Sequence, residues 1–238
     1  MKSNMVVEVH VDRIEAWQGV MRLRKEEFEE KISPQKLPKD RQNLLFQFIK
    51  GEIQINHACS LDLEAYALKY LMPEVYASLP KIVHAYSNCA LYEYDPQKNG
   101  QNIIKHGIGF GEVVSYSRRF GALMVPVPND IDKERYVVFS DLLLKRDSDE
   151  LALPPPKIRE LNYTISIVQQ KHGKFRFISS RLMSSKMQKC RNTIAQAFGD
   201  IIADEQAKMS FIDRCLEIVE TRLFRKFDDG KASPGARY

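Results

Sequence analysis

Cysteine is sparse, and its spacing supports neither a metal site nor a disulfide framework. The four cysteines, Cys59, Cys89, Cys190 and Cys215, are scattered over 238 residues with no C-x-x-C pair. That pattern fits a reducing, cytoplasmic compartment and buried free thiols acting as small apolar side chains. Cys59 follows His57 by two residues, but no second ligand pair of zinc-site spacing accompanies it. No stretch approaches 18 consecutive apolar residues, so no transmembrane helix is expected. The opening MKSNMVVEVHV carries one lysine and then alternates polar with apolar residues, unlike a secretory signal. Glycine and proline number 11 each, too few for collagen-like or low-complexity chains. Catalytic signatures are missing as well. There is no G-K-[ST], G-x-S-x-G or H-E-x-x-H, and His10, His57, His84, His106 and His172 are dispersed. Neither a cofactor nor a metal is therefore expected.

What is present is an ordinary globular composition, 44% apolar and 28% charged. A chain of this length can bury roughly 70–75% of its unfolded surface without covalent staples. The expected arrangement is a single α+β domain over 1–227. It has a helical N-terminal portion (12–86), a central antiparallel or mixed sheet of short strands (90–180), two C-terminal amphipathic helices (184–227) and a frayed tail (228–238).

Met5 to Val11 alternates as a half-buried strand does. Ile14, Trp17, Met21 and Phe28 then fall at helical spacing, predicting one helix from an Asp12 cap to Pro34. A second helix is expected over Asp40 to Lys50, stopped by Gly51. A third would run from a Ser60 cap to Tyr70, and a fourth from Pro73 to Tyr86, weakened by Pro80. Seven strands are expected next: Ala90–Tyr94, Ile103–Ile108, Glu112–Ser117, Ala122–Pro126, Arg135–Leu144, Asn162–Val168 and Phe175–Ser179. Pro96, Asn99-Gly100, Gly107, Gly121, Asn129-Asp130 and His172-Gly173 would be the turns between them. Lys145 to Lys157 reads as a linker or exposed loop. Met187, Cys190, Ile194, Ala197 and Ile201 form one helical stripe. Phe211, Cys215, Ile218, Val219 and Leu223, after Asp204, form another.

Net charge is only +5, and its distribution says more than its size. Leu161 to Gly199 contains no Asp or Glu, where about five would fall at the chain's average, yet it holds Lys171, Lys174, Arg176, Arg181, Lys186, Lys189 and Arg191. Cations gathered on one surface attract polyanions, of which nucleic acid is the commonest. Phe175 and Phe177 flank Arg176. On a strand the two rings point one way and the guanidinium the other, so the rings are either core or, if exposed, a stacking platform.

Lys105-His-Gly-Ile-Gly-Phe-Gly111 fails the dinucleotide, P-loop and kinase glycine patterns, because the glycine spacing is wrong and a strand-like Val113-Val114 follows. It reads as a glycine-permitted hairpin or bulge. With Arg118 and Arg119 interleaved between Tyr116 and Phe120, it makes a second basic patch. Asp130, Asp132 and Glu134 form the densest acidic group of the β region. They suit a solvated hairpin tip better than a Mg²⁺ site.

The functional expectation is a non-catalytic protein binding DNA or RNA through phosphate contacts from Lys105, Arg118, Arg119, Lys171, Lys174, Arg176, Arg181, Lys186, Lys189 and Arg191. Two alternatives stand beside it. One is a structural subunit, homo-oligomeric or part of a larger complex or virus-like particle. The other is a Mg²⁺-dependent hydrolase or nuclease using the Asp130 group.

Overall fold

The computed structural model describes residues 13–80, 85–128, 134–141, 153–154, 161–184, 186–198 and 202–223. The expected strand at Met5–Val11, the Asp130 and Asp132 carboxylates, the C-terminal tail and most of the Lys145–Lys157 segment lie outside these residues. The class is α+β. Among the described residues no helix is long and apolar enough to cross a membrane.

The N-terminal portion is helical, with boundaries that shift where backbone caps outvote the apolar pattern. Residues 13–22 form α1 and Lys25–Ile32 form α2, so the single helix expected up to Pro34 is two. The break falls at Leu23 and Arg24, where the Arg24 N–H donates to the Glu27 carboxylate at 2.9 Å and starts a fresh helix. Helix α3 (Lys39–Ile49) stops as expected before Gly51, which takes φ 73°. Helix α4 (His57–Leu71) begins three residues ahead of Ser60, because the Asn56 side chain accepts from the Cys59 N–H at 2.9 Å. Helix α5 (Pro73–Ser78) is short. Leu79, preceding Pro80, is extended and ends it. These helices close over a core that includes Val20, Phe28, Ile32, Leu45, Leu63, Tyr66, Leu68 and Leu71, with Trp17 tilted against Phe48 at 5.8 Å.

The largest correction concerns 96–120. The strands expected at Ile103–Ile108 and Glu112–Ser117 are helices: α6 (Pro96–His106) and α7 (Phe110–Phe120). Asp95 caps α6 by accepting from the Gln97 N–H at 2.9 Å, Pro96 occupies its first position, and Gly107 ends it at φ 78°. Asn99-Gly100, expected to be a turn, lies inside α6 on a buried face. A side chain at Gly100 would place Cβ 2.2 Å from the Asp62 carbonyl oxygen, so glycine here is what lets α6 and α4 touch. Asn99 donates to the Asp62 carboxylate at 2.6 Å and accepts from the Phe110 N–H at 2.7 Å, joining α4, α6 and α7. The glycine-rich segment is the α6–α7 connection. Gly109 flanks α7, and its N–H donates to the Glu112 carboxylate at 2.5 Å.

The sheet is mixed, six-stranded among the described residues, and ordered β1-β2-β6-β5-β4-β3. The strands are β1 (Ser87–Asn88), β2 (Tyr92–Tyr94), β3 (Ala122–Pro126), β4 (Arg135–Asp141), β5 (Leu161–Lys171) and β6 (Lys174–Ser184). Only β2 and β6 pair in parallel. The β5–β6 hairpin turns at His172 (φ 51°) and Gly173 (φ 74°), two left-handed residues whose twist matches that of the flanking strands. It is longer than the short strands expected there. Side chains alternate between two cores, interrupted by register shifts between β5 and β6 at Leu161/Tyr163 and Ile167/Val168. Val137, Phe139, Tyr163, Ile165 and Met183 face the C-terminal helices α8 (Met187–Phe198) and α9 (Glu205–Ile218). Val138, Val168, Phe177 and Leu182 face α7. Asp204 caps α9 by accepting from the Ala207 N–H at 2.6 Å, and a π-helical turn, Val219–Leu223, extends it. Cys59, Cys190 and Cys215 are buried and free as expected, whereas Cys89 is free but only half-buried.

Two outcomes follow for the α4–α6 contact. Gly100→Ala, which would stabilise an ordinary exposed helix, destabilises this protein by about 1–3 kcal/mol, measured by urea unfolding. Burial raises the Asp62 carboxyl to about 6 against the hydrogen bonds from Asn99 and Tyr94 that lower it. An acid whose folded pKa exceeds its unfolded value holds its proton more tightly when folded. Stability is therefore greatest below the unfolded value and is lost as pH rises through the interval from about 4 to 6. The urea midpoint falls over that range, and Asp62→Asn flattens the fall.

Candidate nucleic-acid interface

The acid-free stretch folds into the β5–β6 hairpin and helix α8, and its cations divide into two groups along β6. Register pairs Lys171 with Lys174, Gln169 with Arg176 and Ile165 with Arg181. These pairs share the sheet face that carries Ile165 and Tyr163, so Lys171, Lys174, Arg176 and Arg181 emerge on one side. The irregularity between Ile167 and Val168 in the pairing leaves Ile178 as an extra residue on β6. It keeps Arg176 and Arg181 on the same face although five positions separate them, a distance of about 16 Å along a strand.

The group near the turn is largely occupied. Arg176 donates from Nε to the Glu93 carboxylate at 2.5 Å, and its guanidinium lies 4.5 Å from the centroid of the Tyr86 ring. Parallel pairing of Glu93 with Arg176 places the two side chains together. Lys174 donates to the Cys89 carbonyl at 2.9 Å. Lys171 is exposed and forms no ion pair among the described residues. The rings of Phe175 and Phe177 belong to the core with Tyr92 and Phe110, the last stacked on Phe177 at 5.3 Å. They form no stacking platform for bases.

The second group gathers where α6, β6 and α8 meet. β2 pairs with β6 only at Phe175 and Arg176, so beyond Ile178 the outer edge of β6 has no strand beside it among the described residues. Helix α6 takes that place. The Asn102 side chain accepts from the Ser180 N–H at 2.9 Å and donates to the Ile108 carbonyl at 2.8 Å. This clamp sets Lys105 and His106, on the last turn of α6, beside Arg181, the residue after Ser180. All three are half-buried, while Lys186 and Lys189, at the start of α8, are exposed. Among the described residues no hydrogen bond or ion pair joins the side chains of Lys105, His106, Arg181, Lys186 or Lys189 to a carboxylate.

The electrostatics follow from that crowding. Burial, with the charge of Arg181, holds the Lys105 ammonium below its usual range, and burial does the same to Arg181. Burial lowers His106 to about 3, helped by the positive charges of Arg181, Lys105, Arg41 and Lys189. At neutral pH the ring is therefore uncharged and offers an N–H donor without adding to the repulsion.

The other expected contacts lie elsewhere. Arg118 and Arg119 are exposed on the last turn of α7, which packs on the opposite face of the sheet from Arg181. Arg191 is paired with Asp213 at 2.7 Å. Glu134 is exposed, and among the described residues no group of three His, Cys, Asp or Glu side chains could hold a metal ion. The residue that sequence reasoning passed over is Arg41 on α3. It sits at 2% exposure on the stripe of Leu45, Phe48 and Ile49, a helical spacing visible in the sequence.

No protein-family model, curated protein or solved structure matches the chain.

The two groups of cations differ in what they do for the fold. Arg176→Met, which removes a half-buried ion pair and a cation–π contact, costs about 1–2 kcal/mol in urea unfolding. Lys171→Ala, which relieves an opposed like-charge pair, changes stability by no more than about 0.5 kcal/mol.

Proposed function

We propose that the protein binds nucleic acid, without catalysis, through phosphate contacts on the surface where α6, β6 and α8 meet. The observation that carries this reading is a set of cations there that, among the described residues, have no carboxylate partner: Lys105, Arg181, Lys186 and Lys189. Surface cations of folded proteins usually lie among carboxylates of opposite sign. A cluster without them creates a local positive potential that draws a polyanion and releases its condensed counterions. Recognition by charge alone reads the backbone and not the bases, and the burial of Phe177, with Phe175 partly buried against the same core, favours that mode over stacking.

Arg176 and Arg191, held by Glu93 and Asp213, contribute little to such an interface. Lys171 and Arg118 would extend it only if the ligand wraps past the hairpin turn or around the sheet.

Salt titration of binding to a duplex oligonucleotide tests the proposal. Four neutralised phosphates give a slope of log K against log salt of about −3.6, or about −2.8 for a single strand. The double variant Lys186→Ala/Lys189→Ala reduces the magnitude of the slope by about 2 and leaves stability unchanged. Arg176→Met leaves the slope as it was. Binding that is absent, or insensitive to salt, overturns the reading.

A further inference from the structure

Arg41 makes an unusual demand on the fold. Its guanidinium is 2% exposed, and its Nε and Nη1 atoms are shut off from solvent with no hydrogen-bond partner among the described residues. The nearest carboxylate, Asp40, is the preceding residue, stands 3.5 Å from Nε and is itself 60% exposed. A guanidinium keeps its proton even where burial disfavours the charge, so it cannot escape by neutralising itself. Burying such a group unpaired is costly, and folds that retain one give it an anion.

The surroundings supply the rest of an anion site. Arg41 comes from α3, Lys105 and His106 from the last turn of α6, Arg181 from β6 and Lys189 from α8. The charges of all four cations bear on the His106 ring. Exposure runs in a graded way, from Lys189 in solvent through half-buried Lys105, His106 and Arg181 to buried Arg41. Apart from Asp40, no carboxylate among the described residues pairs with any of them.

We propose that Arg41, Lys105, His106 and Arg181 form a discrete phosphate-binding site at the junction of α3, α6 and β6, with Lys189 at its entrance. The donor set matches a tetrahedral dianion better than a planar carboxylate. Two guanidiniums offer forked donors, the lysine offers a point charge, and the neutral imidazole offers one N–H, brought together from three elements. The inference rests on the nucleic-acid reading and deepens it, because the group held is one phosphate. Its source is either the polymer, at its backbone or its end, or a free phosphorylated small molecule.

The test uses the full chain. Thermal melting is followed with increasing sodium phosphate, against sodium acetate and sodium chloride at matched ionic strength, and phosphate is then competed against a labelled oligonucleotide. The expected result is a saturable rise in melting temperature with phosphate and none with acetate. Lys105→Gln and Arg181→Gln each raise the half-saturating concentration about tenfold or more, as loss of a charged hydrogen bond implies, while Lys25→Gln, exposed on α2, does not. Arg41→Met melts no lower than the parent in phosphate-free buffer yet loses the phosphate response. Should Arg41→Met fail to fold, the Lys105 and Arg181 variants decide the matter by themselves.

Phosphate that stabilises the protein without any oligonucleotide binding keeps this site, assigns it to a small phosphorylated molecule and ends the nucleic-acid reading. Oligonucleotide binding that phosphate neither competes with nor mimics ends the discrete site and keeps the surface reading. A phosphate response unchanged by Lys105→Gln and Arg181→Gln overturns the inference.

Discussion

Helix α6 is fastened on two sides by side-chain amides, and the arrangement of both halves of the molecule depends on those contacts. Toward the N-terminal helices, Asn99 bonds the buried Asp62 carboxylate while Gly100 lets the two helix backbones approach. Toward the sheet, Asn102 takes the Ser180 N–H and holds the free half of β6. Apolar burial supplies most of the driving force in each core, but it is non-directional and does not fix how one layer sits on the next. Buried hydrogen bonds do fix it, since leaving any one of them unmade costs more than making it gains. The ionisable member of the set, Asp62, makes the α4–α6 contact sensitive to pH in a way a purely apolar contact is not.

The same clamp determines the electrostatic character of the surface. One turn after Asn102 come Lys105 and His106, and one residue after Ser180 comes Arg181. The bond that orders the helix against the strand therefore also forces like charges together. Among the described residues the carboxylate paired with Arg41 is its solvent-facing neighbour in sequence, Asp40. The concentration of charge without carboxylate partners among the described residues, beside the Asn102 clamp, is what supports the proposed binding role. The cations near the hairpin turn, by contrast, serve the β2–β6 contact through Glu93, Tyr86 and the Cys89 carbonyl.

Much of this was legible in the sequence, and the failures have physical causes. The α+β class, the hairpin turn at His172-Gly173, the Gly51 stop and both C-terminal helices follow from periodicity and cap chemistry. Helix α6 escapes an apolar count because three of the five residues on its buried face, Asn99, Gly100 and Asn102, are polar or small, beside Ile103 and Ile104. Its start and stop, Asp95-Pro96 and Gly107, were nonetheless in plain view. Helix α7 was misread because Val113 and Val114 favour strands in isolation, whereas the Gly109–Glu112 cap and the Phe110, Val113 and Tyr116 stripe pack as a helix. The acid-free stretch identified the basic segment correctly but could not show which cations meet carboxylates brought in from elsewhere. Glu93 lies 83 residues before Arg176. The nearness of Arg41 to His106 likewise arises between elements remote in the chain.

The half of β6 beyond Ile178 has a further consequence. Among the described residues its outward edge has no neighbouring strand and is met instead by a helix, which covers it against strand addition. Any change that lifts α6 away uncovers a template for strand addition between copies. Damage at the Gly100 contact, two residues before Asn102 on the same helix, would thus loosen the cover over this edge together with the α4–α6 contact.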